Sequence, residues 1–172
     1  MSSQTVKNGF AALGVTATYK SVNLGPTVGG ASLRIERELV EILTDERGLT
    51  PVDYLTHGLK KVDVTLSLAR WSLMNFQAAF PEFTLTGSGD DRKLDIRADT
   101  GTSLESKAGQ LVLHPVSLLD GDRTFDLTFW KAAVISPPEL AYRGEQAPVE
   151  LTFRALPDSS GLLLTIGDPS VT

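Results

Sequence analysis

The chain contains no cysteine among its 172 residues. Disulfide bonds, thiolate nucleophiles and cysteine-bound zinc are therefore excluded. No apolar run is long enough to cross a bilayer as a helix, so we expect no membrane contact. The first ten residues, MSSQTVKNGF, have neither an apolar core nor a small-residue cleavage site, which predicts no signal peptide. These absences favour a protein made in a reducing cytoplasm.

Motifs for catalysis and cofactor binding are also absent. The sequence has no Gly-x-Ser-x-Gly, His-Glu-x-x-His, Gly-x-Gly-x-x-Gly or Walker-type pattern, and its only two histidines, His57 and His114, lie far apart. Composition alone leaves a Ser-His-Asp arrangement open, although no motif supports one. The acidic clusters at 90–91 and 120–122 lack the ligand spacing of a calcium loop. We therefore expect no enzyme, no cofactor and no metal site.

Alternation of apolar and polar residues predicts a mostly-β fold. The clearest strand covers residues 60–69. Its apolar face is Val62, Val64, Leu66 and Leu68, and its polar face is Lys61, Asp63, Thr65 and Ser67. A second strand begins near Ser32 and carries Arg34, Glu36 and Glu38 on its polar face. Its alternation blurs after Glu38, which indicates a bulge or a section buried on both sides.

Further strands are predicted at 17–22, 92–98, 110–116, 124–134, 149–155 and 162–166, separated by turns that include 25–26 and 29–30. Helical spacing predicts one helix over 71–80, which Ser72 caps and Pro81 ends. About eight strands and one helix indicate a β-sandwich or distorted barrel with one flanking helix. We expect one domain over residues 11–172, preceded by a flexible arm at 1–10.

The connection from Thr44 to Gly58 is predicted to be a long protruding loop. Connections of this length without regular structure are usually functional or disordered. This one carries the side chains expected of a contact surface: Leu49, Val52, Tyr54, Leu55 and His57. Apolar side chains on a protruding segment favour binding to a neighbouring subunit. Folding of the loop back onto its own core is the alternative.

Six segments, taken in order, resemble the tail tube (major tail) proteins of long-tailed bacteriophages. They are NLGPTVGGASLRIERE from Asn23, GLTPVDYLTHG from Gly48, VTLSLARWSLMNF from Val64, LVLHPVSLLDGDRTFDLTFWKAAV from Leu111, PVELTFRALPD from Pro148 and LLLTIGD from Leu162. Together they extend from about residue 14 to 168, and the segment from 84 to 107 matches least. The order of the segments is the specific feature.

The resemblance implies a structural protein of the virion tail, made in the cytoplasm of the bacterial host. Six copies would close into a ring, and rings would stack into a tube that conducts DNA during genome ejection. The implied partners are further copies of the chain, the tape-measure protein and double-stranded DNA in the lumen, and tail terminator and tail-tip proteins at the ends. The architecture is similar to type VI secretion tubes and to the inner tubes of contractile tails.

The resemblance also implies which face lines the channel. The lumen-facing residues would be Arg34, Glu36, Glu38, Lys61, Asp63, Thr65 and Ser67. Three acids and two bases give this wall a slight negative balance, which would let DNA slide without phosphate contacts. Six subunits giving four strands each would close a barrel of about 24 strands, roughly 48 Å across. Another β-sandwich tube, a baseplate component and a capsid-decoration protein are the main alternatives, and a small-molecule-binding barrel or an undetected enzyme is a further one.

Overall fold

The protein is mostly β. The structure, a computed structural model, describes residues 14–98, 100–137, 139–140 and 148–171. Of these residues, 53% lie in strands and 7% in helices. The strands form a closed six-stranded antiparallel barrel with one extra strand. The predicted flexible arm at residues 1–10 lies outside the described residues.

Nine strands and two short helices follow one another along the described chain. They are β1 (Val15–Tyr19), β2 (Val22–Ile42), β3 (Asp53–Leu68), α1 (Leu73–Ala79), β4 (Phe83–Ser88), β5 (Asp91–Ile96), α2 (Leu104–Lys107), β6 (Gly109–Pro115), β7 (Leu127–Val134), β8 (Val149–Ala155) and β9 (Leu164–Ile166). The order around the barrel is β6-β1-β2-β3-β8-β7, and β7 pairs back with β6 to close it. Strand β9 pairs with the start of β7, and β4 and β5 form a separate hairpin.

Side chains from all six barrel strands fill its interior. The most deeply buried of the described apolar residues are Ala17, Val64, Leu66, Leu111, Leu113, Phe129, Ala132 and Phe153. The predicted apolar face of β3 is confirmed, because all four of its members are at most 2% exposed. Barrels of about eight strands are just wide enough for side chains to fill, and six strands are narrower. The interior is therefore a packed core, and the architecture is a closed barrel instead of two separate sheets.

Helix α1 packs beside the beginning of β2. The Ser72 side chain accepts a hydrogen bond from the Asn75 backbone N–H, as the sequence predicted. The Asn75 side chain donates to the Leu24 backbone carbonyl at 3.1 Å, which ties the helix to the barrel. Helix α2, a single turn, was not predicted. No helix in the described part of the chain has the length and apolar character needed to cross a bilayer.

Two predicted turns are wrong, because both lie inside β2. Gly25 has a φ of 93°, and Gly29 and Gly30 have φ values of 79° and 82°. The pairing of β2 with β1 shifts beside Gly25, and its pairing with β3 shifts between Thr27 and Ala31. Gly25 therefore lies at one bulge, Gly29 and Gly30 lie at a second, and neither bulge ends the strand. Strand β4 was also not predicted.

Candidate subunit interface

The most prominent surface feature is a two-stranded ribbon that projects from one end of the barrel. We call residues 35–60 the arm: the second half of β2, the turn at 43–52 and the first half of β3. At about 3.3 Å per residue, the eight β2 residues of the arm, from Ile35 to Ile42, extend over roughly 26 Å. The predicted long loop over 44–58 is therefore wrong in part, since Asp53–Gly58 belongs to β3.

The arm exposes an unusual amount of apolar surface. Nine large apolar side chains in it are exposed: Ile35, Leu39, Val40, Leu43, Leu49, Val52, Tyr54, Leu55 and Leu59. Exposure is 94% for Leu49, 53% for Tyr54 and 55% for Leu55. Large exposed apolar surfaces are rare on monomeric proteins and typically mark sites that a partner covers. These side chains do not pack on the barrel core. The alternative that this segment folds back onto its own core is therefore excluded.

Two bulges explain why alternation blurs in this region. Strand β2 pairs with β3 at Glu36 with Lys61 and at Arg37 with Leu59, so Lys60 has no partner on β2. His57 is skipped in the same way between Thr56 and Gly58. An extra residue on one strand disturbs the period-two pattern around it. The bulge predicted after Glu38 is thus confirmed, but the extra residues lie on the facing strand.

Both long edges of the arm are bare within the described chain. Strand β1 pairs with β2 only as far as Pro26, and β8 pairs with β3 only from Asp63 onward. Beyond these points no described strand hydrogen-bonds to either edge. Bare edges are templates for pairing with another chain, and an isolated two-stranded ribbon is only marginally stable in water.

A groove of about 470 Å³ runs beside the bare edge of β3 at the base of the arm. One wall is β3 from Leu59 to Val62, and the other is the segment after β8, including Leu156, Pro157 and Leu163. The groove combines apolar walls with three cationic side chains, Lys60, Lys61 and Arg154. It therefore offers space next to a free strand edge.

The outward face of β2, β3 and β8 carries a network of paired charges. Arg154 donates two hydrogen bonds to the Asp63 carboxylate, at 2.8 and 2.9 Å. Glu36 lies 2.7 Å from Arg34 and 3.2 Å from Lys61. The hydroxyl oxygens of Thr65 and Thr152 are 3.1 Å apart.

Electrostatics on this face favour the charged state of its central acid. The hydrogen bonds from Arg154 hold the pKa of the Asp63 carboxyl below its ordinary value, partial burial opposes this, and the charges of Arg154, Lys61 and Arg34 reinforce it. The same partner raises the pKa of Arg154. Five charged side chains on this face are thus paired with one another in the isolated subunit: Arg34, Glu36, Lys61, Asp63 and Arg154.

The structure brings most of the predicted wall residues together. Register pairs Arg34 with Asp63 and Glu36 with Lys61, and Glu38 lies farther out, on the arm. Sequence reasoning missed Arg154 and Glu150 on β8, which adds a third strand to this face. Both residues alternate in the sequence with Leu151 and Phe153, which are buried, and this alternation could have placed them on the outward face. Among the predicted contact residues, Leu49 and Val52 lie in the turn, whereas Tyr54, Leu55 and His57 lie on β3.

The second histidine sits in a structural pair. Nδ1 of His114 lies 2.7 Å from Oδ1 of Asp126, which is almost fully buried. Nε2 of His114 is buried and has no hydrogen-bond partner in the described structure, so no hydroxyl nucleophile is aligned with it. Among the described residues, no group of three or more histidine and acidic side chains is arranged to hold a metal ion.

Comparison of the sequence with protein-family models finds no match, and comparison with curated proteins finds none either.

Proposed function

We propose that this chain is the structural subunit of a bacteriophage tail tube, which assembles into six-membered rings stacked into a DNA-conducting channel. The observation that carries the proposal is the arm, which has nine exposed large apolar side chains and two edges with which no described strand pairs. Such a ribbon is stabilised when a neighbouring copy covers it. The resemblance of six segments, taken in order, to tail tube proteins is the reason for proposing stacked rings as the assembly.

The closed barrel determines which edges a neighbour can use. Because β6 and β7 close the subunit's own sheet, the bare edges of the long strands β2 and β3 lie in the arm. A ring forms when the β2 edge of one copy's arm pairs with the β3 edge of the next copy's arm. This heterologous contact repeats around the ring and closes after six copies. The groove beside Leu59–Val62 leaves space for the incoming strand.

The subunit has two unlike ends, which suits head-to-tail stacking of rings. Helix α1 contacts the start of β2 through Leu24, and the arm occupies the other end of the same strand. A stack of such rings has the same polarity throughout. Its two terminal surfaces therefore differ, as separate terminator and tail-tip partners require.

The outward face of β2, β3 and β8 is proposed to be the channel wall, in contact with DNA and the tape-measure protein. Its bases are Arg34, Lys61 and Arg154, and its acids are Glu36, Glu38, Asp63 and Glu150. Three bases and four acids leave one net negative charge. Most of these ions are already paired within the subunit, so few cations remain for phosphate contacts and DNA slides past.

Electron microscopy of the purified protein over a concentration series, with and without tail-tip extract, tests the proposal. We expect rings with six-fold symmetry and tubes built from them. A decoration protein would instead remain unassembled and bind capsids, and a small-molecule-binding barrel would remain monomeric. Either result would overturn the tube proposal.

A further inference from the structure

The bare edge of β2 carries a self-complementary charge pattern. Beyond the glycine bulge, β2 runs without an extra residue from Ala31 to Leu39. Its centre reads Arg34-Ile35-Glu36. The Arg34 side chain is 75% exposed and Ile35 is 50% exposed. An antiparallel partner strand meets this edge with residues directly opposite one another on the same face.

We propose that a second copy of this chain pairs with the β2 edge across a two-fold axis at Ile35. In this register Arg34 of each copy lies opposite Glu36 of the other, and the two Ile35 side chains face each other at the axis. Ser32 then lies opposite Glu38. Arg34 and Glu36 are also 2.7 Å apart within each subunit, so the four charges form one cluster of alternating sign on one face, with the apolar contact on the other face. This makes the edge complementary to itself, as an isologous dimer requires.

Neighbouring registers are disfavoured by the same residues. Side-chain direction alternates along a strand, so only shifts by two residues keep the charged face on one side. One such shift sets Glu36 opposite Glu36, and the other sets Arg34 opposite Arg34. Like charges directly opposite each other are destabilising. The first shift also sets Arg34 of each copy opposite Glu38 of the other, so only the register centred at Ile35 has attractive charge pairs without a repulsive one.

The β3 edge does not compete for this contact. Its bare part contains both bulged residues, His57 and Lys60, and bulges present in both copies would interrupt a symmetric ladder of β3 with itself. The dimer itself does not depend on the proposed tube. If the tube proposal holds, however, the dimer occupies an edge that a ring needs, so it is a stored form that must open before rings grow.

Charge variants of the full-length protein test the pairing by analytical ultracentrifugation. Arg34→Glu and Glu36→Arg should each weaken the dimer about tenfold or more, because two attractive cross-strand pairs become repulsive. An equimolar mixture of the two variants restores both attractive pairs, so we expect heterodimers of near wild-type affinity. Arg37→Glu, on the other face of the same strand, is the matched control.

Single-cysteine crosslinking provides an independent measurement, because the chain has no cysteine of its own. Opposed residues in an antiparallel pair have Cα atoms about 4.5–5.5 Å apart, which suits a disulfide. Ile35→Cys should therefore crosslink to itself under mild oxidation. Leu39→Cys should not, since two Leu39 positions lie about 26 Å apart in this register.

A wild-type protein that is monomeric at all concentrations would overturn the inference. A dimer affinity that the Arg34 and Glu36 substitutions leave unchanged would also overturn it. Equal crosslinking of the cysteine variants at positions 35 and 39 would do the same. Ring formation is scored separately by microscopy. A failure of the dimer is therefore distinguishable from a failure of the tube.

Discussion

Leu49 lies at the tip of the arm and is 94% exposed in the isolated subunit. Its side chain therefore contributes almost nothing to the stability of the monomer. If neighbouring copies cover the arm, the same side chain becomes buried on assembly. The substitution Leu49→Ala separates these two states, because it removes apolar surface that only the assembled protein would bury.

The expected magnitudes follow from this exposure. Surface substitutions change the free energy of unfolding by about 0.5 kcal/mol or less, which corresponds to a shift in Tm of roughly 1–2 °C for a domain of this size. Fully burying a leucine side chain is worth about 1.5–3 kcal/mol. Losing about 2 kcal/mol for each added subunit raises the critical concentration for assembly roughly thirtyfold.

The assay measures the critical concentration by sedimentation of assembled tubes and the monomer's Tm by thermal unfolding. Leu119→Ala is the matched control, because Leu119 is 81% exposed but lies on the loop after β6 and not on the arm. We expect a large shift in critical concentration for Leu49→Ala and a small one for the control. An unchanged critical concentration, or equal shifts in both variants, would refute burial of the arm tip between copies.

Three further substitutions test the arm and the charged face. Tyr54→Ala should impair tube formation while leaving the monomer's Tm almost unchanged; unfolding of the monomer would show that the arm belongs to the subunit's own core. Asp63→Asn should lower the free energy of unfolding by about 1 kcal/mol at neutral pH. Because the pKa of Asp63 is lowered in the folded protein, this difference should begin to shrink below about pH 4, where the unfolded chain takes up a proton that the folded carboxyl still resists. It should vanish once the pH is below the lowered pKa of the folded state, and a difference in urea unfolding that is independent of pH would contradict the pairing with Arg154. Asp63→Lys raises the net charge of each subunit by two and frees Arg154, so virions should release DNA slowly at low salt and faster at high salt. Ser67→Lys adds charge without breaking an ion pair and serves as its control, and normal release by both variants in well-formed tubes would argue against this face as the channel wall.

Local patterns in the sequence were sufficient for much of the fold. Alternation in β3 identified Val62 and its apolar neighbours as core and Asp63 as outward-facing, because side-chain direction in a strand repeats every two residues. Ser72 was identified as a helix cap because capping depends on residues only three positions apart. The apolar tip of the arm was visible as leucine and valine in a segment that should be polar.

The tertiary structure decided how these pieces close and pair. Closure of the barrel depends on β6 meeting β7, and nothing local in either strand specifies that contact. Asp63 and Arg154 are 91 residues apart in the chain, so their pairing follows from the register of β3 against β8. The arm was misread as a loop because its bulges and its apolar residues on both faces conceal the alternation of a strand. Side-chain periodicity is a property of one strand, whereas closure, register and edge exposure are properties of pairs of strands.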